Sequence, residues 1–247
     1  MYLKMQAFSF SITILMFAIM AERPVHEHIR ELSDSLTALS EIVLRNFLLA
    51  IDVLQSLDKG KARQVKNADR EIDEAEIQLE SQCLSFLALQ QPVAKDFRTI
   101  VAIMKINDNL ERIGDLSVHI VERLPEIGSG LQRTYDFDSM GVKVGEMVRK
   151  AVDAFACKDE ALARQINELE EEIDLMHRLI FKKAMASMKE PSADIDQLIA
   201  VLSISRYLER IADHATKIAN EVVYLVTGVK SREKDSAYDK LLSSLVN

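Results

Sequence analysis

An acidic residue with an aspartate four positions later occurs at four matched places in the chain: Asp69/Asp73, Glu111/Asp115, Glu170/Asp174 and Glu209/Asp213. A spacing of four sets both carboxylates on one face of a helix, about 5–6 Å apart at Cβ. Like charges so placed cost an isolated helix a few tenths of a kcal/mol, and repeating that cost asks for a compensating cation. The 111/115 and 209/213 pairs are embedded in apolar sequence. A buried carboxylate must be paired, protonated or bound to metal. Arg112 and Arg210 adjoin the acids, so salt bridges within the helix compete with a metal. An arginine at i+1 points about 100° around the helix from its glutamate, so we expect it to leave the pair unneutralised. If the two pairs of one half face each other from neighbouring helices, each half offers four carboxylates. Oxygen-only ligands select hard cations such as Fe, Mn, Mg or Ca, whereas zinc prefers Cys or His.

Other chemistry finds less support. His177 follows Asp174 by three, His119 lies one turn beyond Asp115, and His214 adjoins Asp213. We read His177 and His119 as surface residues, and His26 and His28 as solvated. None of the five histidines has a glutamate three residues earlier, which excludes the Glu-x-x-His chemistry of ferritin-type di-iron bundles. Cys83 and Cys157 are far apart, with no zinc spacing, and read as free thiols. There is no G-x-S-x-G, no Cys–His constellation and no phosphate-binding glycine loop, so no catalytic residue is assigned. Two alternatives to a metal-ordered binding protein remain, a metal-dependent phosphoester enzyme and a scaffold whose acids are a solvated face.

The elements that must position these acids are helices. The chain has 247 residues, 48% apolar, with only 7 glycines and 4 prolines, too few turn residues for a sandwich or barrel. No Val/Ile-rich run leads into a glycine-rich turn, which argues against a doubly wound α/β sheet. Net charge is −8 with no isolated basic cluster, so nucleic acid is not an expected partner. Breakers predict six helices, at about 25–57, 61–89, 93–124, 138–156, 159–188 and from Ser192 or Asp194 to Thr227. In the third, Phe97, Ile100, Val101, Met104, Leu110 and Ile113 keep a helical period and read as core.

The chain also repeats itself. Ala50-Ile51-Asp52, Ala62-Arg63-Gln64-Val65 and Asp69-Arg70-Glu71-Ile72-Asp73 recur 101 residues later, and Leu110-Glu111-Arg112-Ile113-Gly114-Asp115 recurs 98 later as Leu208-Glu209-Arg210-Ile211-Ala212-Asp213. The expected architecture is all-α: two tandem three-helix bundles, 24–126 and 132–228, joined near Gly128-Ser129-Gly130, with a charged tail at 229–247. Residues 1–23 form an apolar leader whose run from Phe8 to Met20 is shorter than the ~20 residues of a membrane span. It reads as a start set too early, with Met20 as the true start, as a membrane-touching segment, or as a signal peptide.

Two copies of Leu-Glu-Arg-Ile-(Gly/Ala)-Asp, each ending a helix that begins after proline, resemble the PhoU family of phosphate-uptake regulators. Gln91-Pro92-Val93-Ala94-Lys95-Asp96-Phe97-Arg98 and Arg206-Tyr207-Leu208-Glu209-Arg210-Ile211-Ala212-Asp213-His214-Ala215 are similar to its segments in the two halves, and the resemblance spans about 24–228. It implies two three-helix bundles whose acid-x-x-x-Asp pairs hold multinuclear metal clusters in some members. It also implies a cytoplasmic, non-enzymatic negative regulator that contacts the ATPase subunit of a phosphate ABC transporter and a sensor histidine kinase. Through those partners it would sit peripherally at the membrane, and a homodimer is compatible with it. The four pairs carry over to the eight acids named above. Asp69 is one methylene shorter than the family's Glu, which weakens the expectation for the first site.

Overall fold

The computed structural model describes residues 2–127 and 134–229, with side chains from Val25 onward. Six helices account for it: α1 (Tyr2–Ser56), α2 (Lys59–Gln90), α3 (Ala94–Glu122), α4 (Phe137–Cys157), α5 (Glu160–Ser187) and α6 (Ile195–Thr227). A single 3-10 turn, Leu124–Glu126, follows α3. The predicted linker at Gly128-Ser129-Gly130 and the tail from Lys230 lie outside the described residues.

Local chemistry sets the boundaries. Asp58, Asp159 and Asp194 cap α2, α5 and α6, accepting hydrogen bonds from the backbone N–H of Gly60 and Lys61, of Leu162, and of Gln197. These caps satisfy amide groups that would otherwise have no partner in the first turn. Left-handed residues close α2 at Gln91, α4 at Lys158 and α6 at Gly228. Two boundaries differ from expectation. Asp58-Lys59-Gly60 reads as a break, yet Asp58 is the cap and Gly60 already lies in the first turn of α2. The leader is not separate from the first helix, because α1 runs back through Pro24 to Tyr2. No glycine interrupts residues 2–56. Among the described residues no helix is long and apolar enough to cross a membrane.

Helices α1–α3 and α4–α6 form two three-helix bundles that share one apolar core. The bundles meet where α3 packs on α6 and α1 packs on α4. Buried side chains are dense on α3 and α6, including Ile103, Ile106, Leu110 and Ile113 on α3 and Ile204, Leu208, Ile211 and Ile218 on α6. The outer helices bury only a narrow stripe. Val65, Ile72, Leu79 and Phe86 on α2, and Ile166, Ile173 and Ile180 on α5, recur every seven residues. That is the period of a two-helix seam. Each outer helix therefore buries one line against the other two helices of its bundle, and the flanks of that line stay partly open. Of the six positions read as core on α3, Ile100, Leu110 and Ile113 are buried, whereas Phe97 is 48% exposed. Phe97 lies in the first turn, at the end of the bundle, where few neighbours cover it. Val101 and Met104 are partly buried.

Close approach of α4 to α1 depends on Gly141, where an added Cβ would stand 2.7–2.9 Å from three atoms of buried Ile51. At Gly145 the nearest atom is the tip of Leu48, at 3.1 Å, and Leu48 is 40% exposed and free to swing. Alanine gains about 1 kcal/mol of helix propensity at each position, whereas overpacking a core costs about 1–3 kcal/mol. Urea unfolding should show Gly141→Ala less stable than the parent and Gly145→Ala equal to it or more stable. Equal effects of the two substitutions would contradict this packing.

Candidate metal centre

The acid pairs lie on the flanks of the two seams. Asp69 and Asp73 bracket buried Ile72 on α2, and Glu111 and Asp115 bracket buried Gly114 on α3. A Cβ on Gly114 would stand 3.1 Å from Ile72 Cδ1 and 3.5 Å from Asp69 Oδ1, so glycine lets α3 approach α2 at the acids. In the second bundle Glu170 and Asp174 flank Ile173 on α5, and Glu209 and Asp213 flank Ala212 on α6. All eight acids are partly buried. A solvated face does not look like this.

Electrostatics show which acids meet. Burial first, then the charges of Asp73 and Asp115, push the Asp69 carboxyl up to about 6. Burial, then Asp115, raise Glu111 to about 7, with a further contribution from Asp73 across the seam. In the second bundle burial, then Asp213, raise Glu209 to about 7, and Asp174 adds to it. Asp213 is also raised, by burial above all, although Lys217 and Arg206 oppose this. The first four acids thus converge, as do Asp174, Glu209 and Asp213, while Glu170 lies one turn before Asp174 on α5. Asp69 Oδ1, Glu111 Oε2 and Glu209 Oε2 are sealed from solvent without a hydrogen bond.

Arg112 departs from expectation. Its side chain folds back so that Nη1 donates to Asp115 Oδ2 at 3.2 Å and Nε lies 3.3 Å from Glu111 Oε2. The angle between Cβ directions does not limit a side chain this long, and its guanidinium stays half exposed. It compensates Glu111 and Asp115 from the solvent side and leaves Asp69 Oδ1 without a partner. The α6 counterpart of this contact comes from a different residue, Arg206, whose Nη1 donates to Glu209 Oε1.

A further tier extends each seam and is absent from the motif. Asn107 Nδ2 donates to Glu76 Oε1 at 3.0 Å, whereas at the matched positions His177 Nδ1 lies 2.7 Å from Ser205 Oγ. Positions 76 and 177 are 101 apart, and 107 and 205 are 98 apart, so carrying the repeat offsets further along the chain would have found both pairs. Contrary to the surface reading, His177 is half-buried, and burial lowers its pKa. His119 is exposed and stacks on Tyr207 with ring centroids 5.5 Å apart. His214 is buried, its Nδ1 donating to Asn109 Oδ1 at 2.8 Å, and burial drives it down to about 4. It is a neutral strut between α3 and α6. Cys83 is buried and its thiol pushed up to about 11, while Cys157 is exposed, and both are free.

Among the described residues no three His, Cys, Asp or Glu side chains are gathered tightly enough to hold an ion as they stand. The donor set nevertheless suits a hard cation: it is all oxygen, partly dehydrated, and includes buried oxygens without partners.

The chain matches the PhoU domain family over residues 36–124 and again over 137–222. It is 34% identical over 217 residues to the Phosphate-specific transport system accessory protein PhoU homolog of Zymomonas mobilis, covering 87% of this chain and 90% of that one. The Pseudomonas putida protein of the same name is 34% identical over 207 residues, covering 83% and 81%. The crystal structure of PhoU from Pseudomonas aeruginosa superposes with a TM-score of 0.79 at 31% identity, covering 83% of this chain and 99% of that one. The Streptococcus pneumoniae phosphate transport system regulatory protein PhoU gives 0.78 at 28% identity, covering 85% and 100%.

Raised carboxyl pKa values make a signed stability prediction. The folded protein keeps protons on Glu111 and Glu209 up to about pH 7, whereas an unfolded chain releases them near its ordinary value of about 4.3. Their contribution is therefore intact below that lower value and is lost as pH rises through about 7. In chelator-treated protein, Glu111→Gln/Glu209→Gln should gain thermal stability relative to the parent as pH goes from 5 to 8. A difference in Tm that stays constant across that range would contradict it.

Proposed function

The chain belongs to the PhoU family, and on that premise we propose that it is a non-enzymatic, cytoplasmic regulator of phosphate uptake and of phosphate-starvation signalling. It acts by binding the ATPase subunit of a phosphate ABC transporter and a sensor histidine kinase, which bring it to the membrane periphery. It restrains both in phosphate-rich conditions. The reading draws its support from the accessory role named for relatives that match nearly the whole chain. The outer helices are suited to docking, since Ile77 and Leu84 on α2, and Leu175 and Leu179 on α5, are exposed.

The observation that carries a metal role is the pair of buried carboxylate oxygens without a hydrogen bond or ion pair, Asp69 Oδ1 in one seam and Glu209 Oε2 in the other. Asp69, Asp73, Glu111 and Asp115 would hold hard cations at one seam, and Glu170, Asp174, Glu209 and Asp213 at the other. Iron, manganese, magnesium or calcium would supply positive charge there and no reaction step. The acids come from two helices in each bundle, so neutralising them ties α2 to α3 and α5 to α6. That bracing fixes the outer faces offered to partners.

Deleting the gene should derepress alkaline phosphatase in phosphate-rich medium, and the intact gene supplied in trans should restore repression. Unchanged phosphatase activity in the deletion strain would refute the regulatory reading.

A further inference from the structure

The two seams share their acid pairs but not the charges around them. Matched by the repeat offsets, Asp108 on α3 corresponds to Arg206 on α6, His119 to Lys217, and Glu76 on α2 to His177 on α5. Asp108 lies close enough for its charge to bear on both Glu76 and Glu111. At the matched place Arg206 instead grips Glu209. Lys217 stands one turn beyond Asp213 and opposes its negative charge. The α2–α3 seam therefore sets six carboxylates, at positions 69, 73, 76, 108, 111 and 115, against Arg112. The α5–α6 seam sets four, at 170, 174, 209 and 213, against Arg206, Arg210 and Lys217. Lys66 and Glu122, at the end of the first seam, pair with each other at 3.1 Å. Each seam has one arginine against its acids, Arg112 on Glu111 and Asp115 in the first and Arg206 on Glu209 in the second, and each keeps one buried oxygen without a hydrogen bond or ion pair, Asp69 Oδ1 and Glu209 Oε2.

We infer that the seams are not equivalent: the α2–α3 seam is the tight cation site, and the α5–α6 seam is held closed by Arg206 and Lys217 and takes an ion only weakly. The inference rests on the metal-holding reading above and reverses the ranking suggested by the shorter Asp69. A carboxylate gripped by a guanidinium must give up that bond before it can serve a metal, a cost Arg112 imposes on Asp115 as Arg206 does on Glu209, so the seams differ by the further cations beside the second. A nearby fixed cation also repels the incoming ion directly. Two exposed side chains thus decide which repeat binds, although the acids themselves are duplicated.

Titration of the full chain with Mn²⁺ by calorimetry tests this. Parent protein should show a tight class of sites that weakens about tenfold or more in Glu111→Gln/Asp115→Asn. That class should be left within about twofold by Glu209→Gln/Asp213→Asn. Arg206→Asp/Lys217→His gives the second seam the residues of the first at two exposed positions, and should add a second tight class. The reciprocal Asp108→Arg/His119→Lys should weaken the first. Two equal classes in the parent, or loss of tight binding on changing Glu209 and Asp213, would overturn the inference while leaving the metal reading standing. Absence of Mn²⁺ binding to the parent would overturn both.

Discussion

Like-charged carboxylates held partly out of water between two helices are the constraint around which each bundle is built. An isolated acid pair on a solvated helix is a minor matter, but here burial is the first cause of the upward shift at Asp69, Glu111 and Glu209. Such a seam has three ways to settle: keep a proton, recruit a side-chain cation, or take an ion. The structure shows the second in use at the rim, through Arg112 and Arg206. The inner oxygens remain for the other two, which compete with each other because a proton and a metal use the same lone pairs.

The packing enforces the burial. Ile72 and Ile173 are buried members of the two stripes; Gly114 faces Ile72 from α3, and Ala212 stands buried at the matched place on α6. A small residue between glutamate and aspartate brings the outer helix close, and the flanking acids come with it. The Leu-Glu-Arg-Ile-(Gly/Ala)-Asp segment is thus a packing motif and an electrostatic one at once. The two bundles communicate through buried contacts on the same central helices, notably His214 with Asn109, and through the Gly141–Ile51 approach of α4 to α1.

Much of this was legible in the chain. The repeat offsets of 101 and 98 located both halves and all four acid pairs. Breaker residues placed every helix end but the start of α1 to within three residues. The misses share a physical origin. Spacing along a helix reports where a Cβ points, but not how far a flexible side chain travels, so the reach of Arg112 was misjudged. Periodicity marks a face but not the end of a bundle, so Phe97 was counted as core. His177 and Glu76 carry no motif of their own, and only the 101-residue offset marks them out beside the acids. The first helix was expected from about residue 25, whereas α1 runs back through Pro24 to Tyr2.

Metal content of the purified, full-length protein tests the central claim most directly. Protein equilibrated with manganese, magnesium, calcium or ferrous iron at neutral pH and then freed of unbound ions should, by elemental analysis, retain at least one hard cation per chain. A preparation that retains none of the four, under conditions in which it is folded, would contradict the claim and leave protons and arginines as the sole compensation for the buried acids.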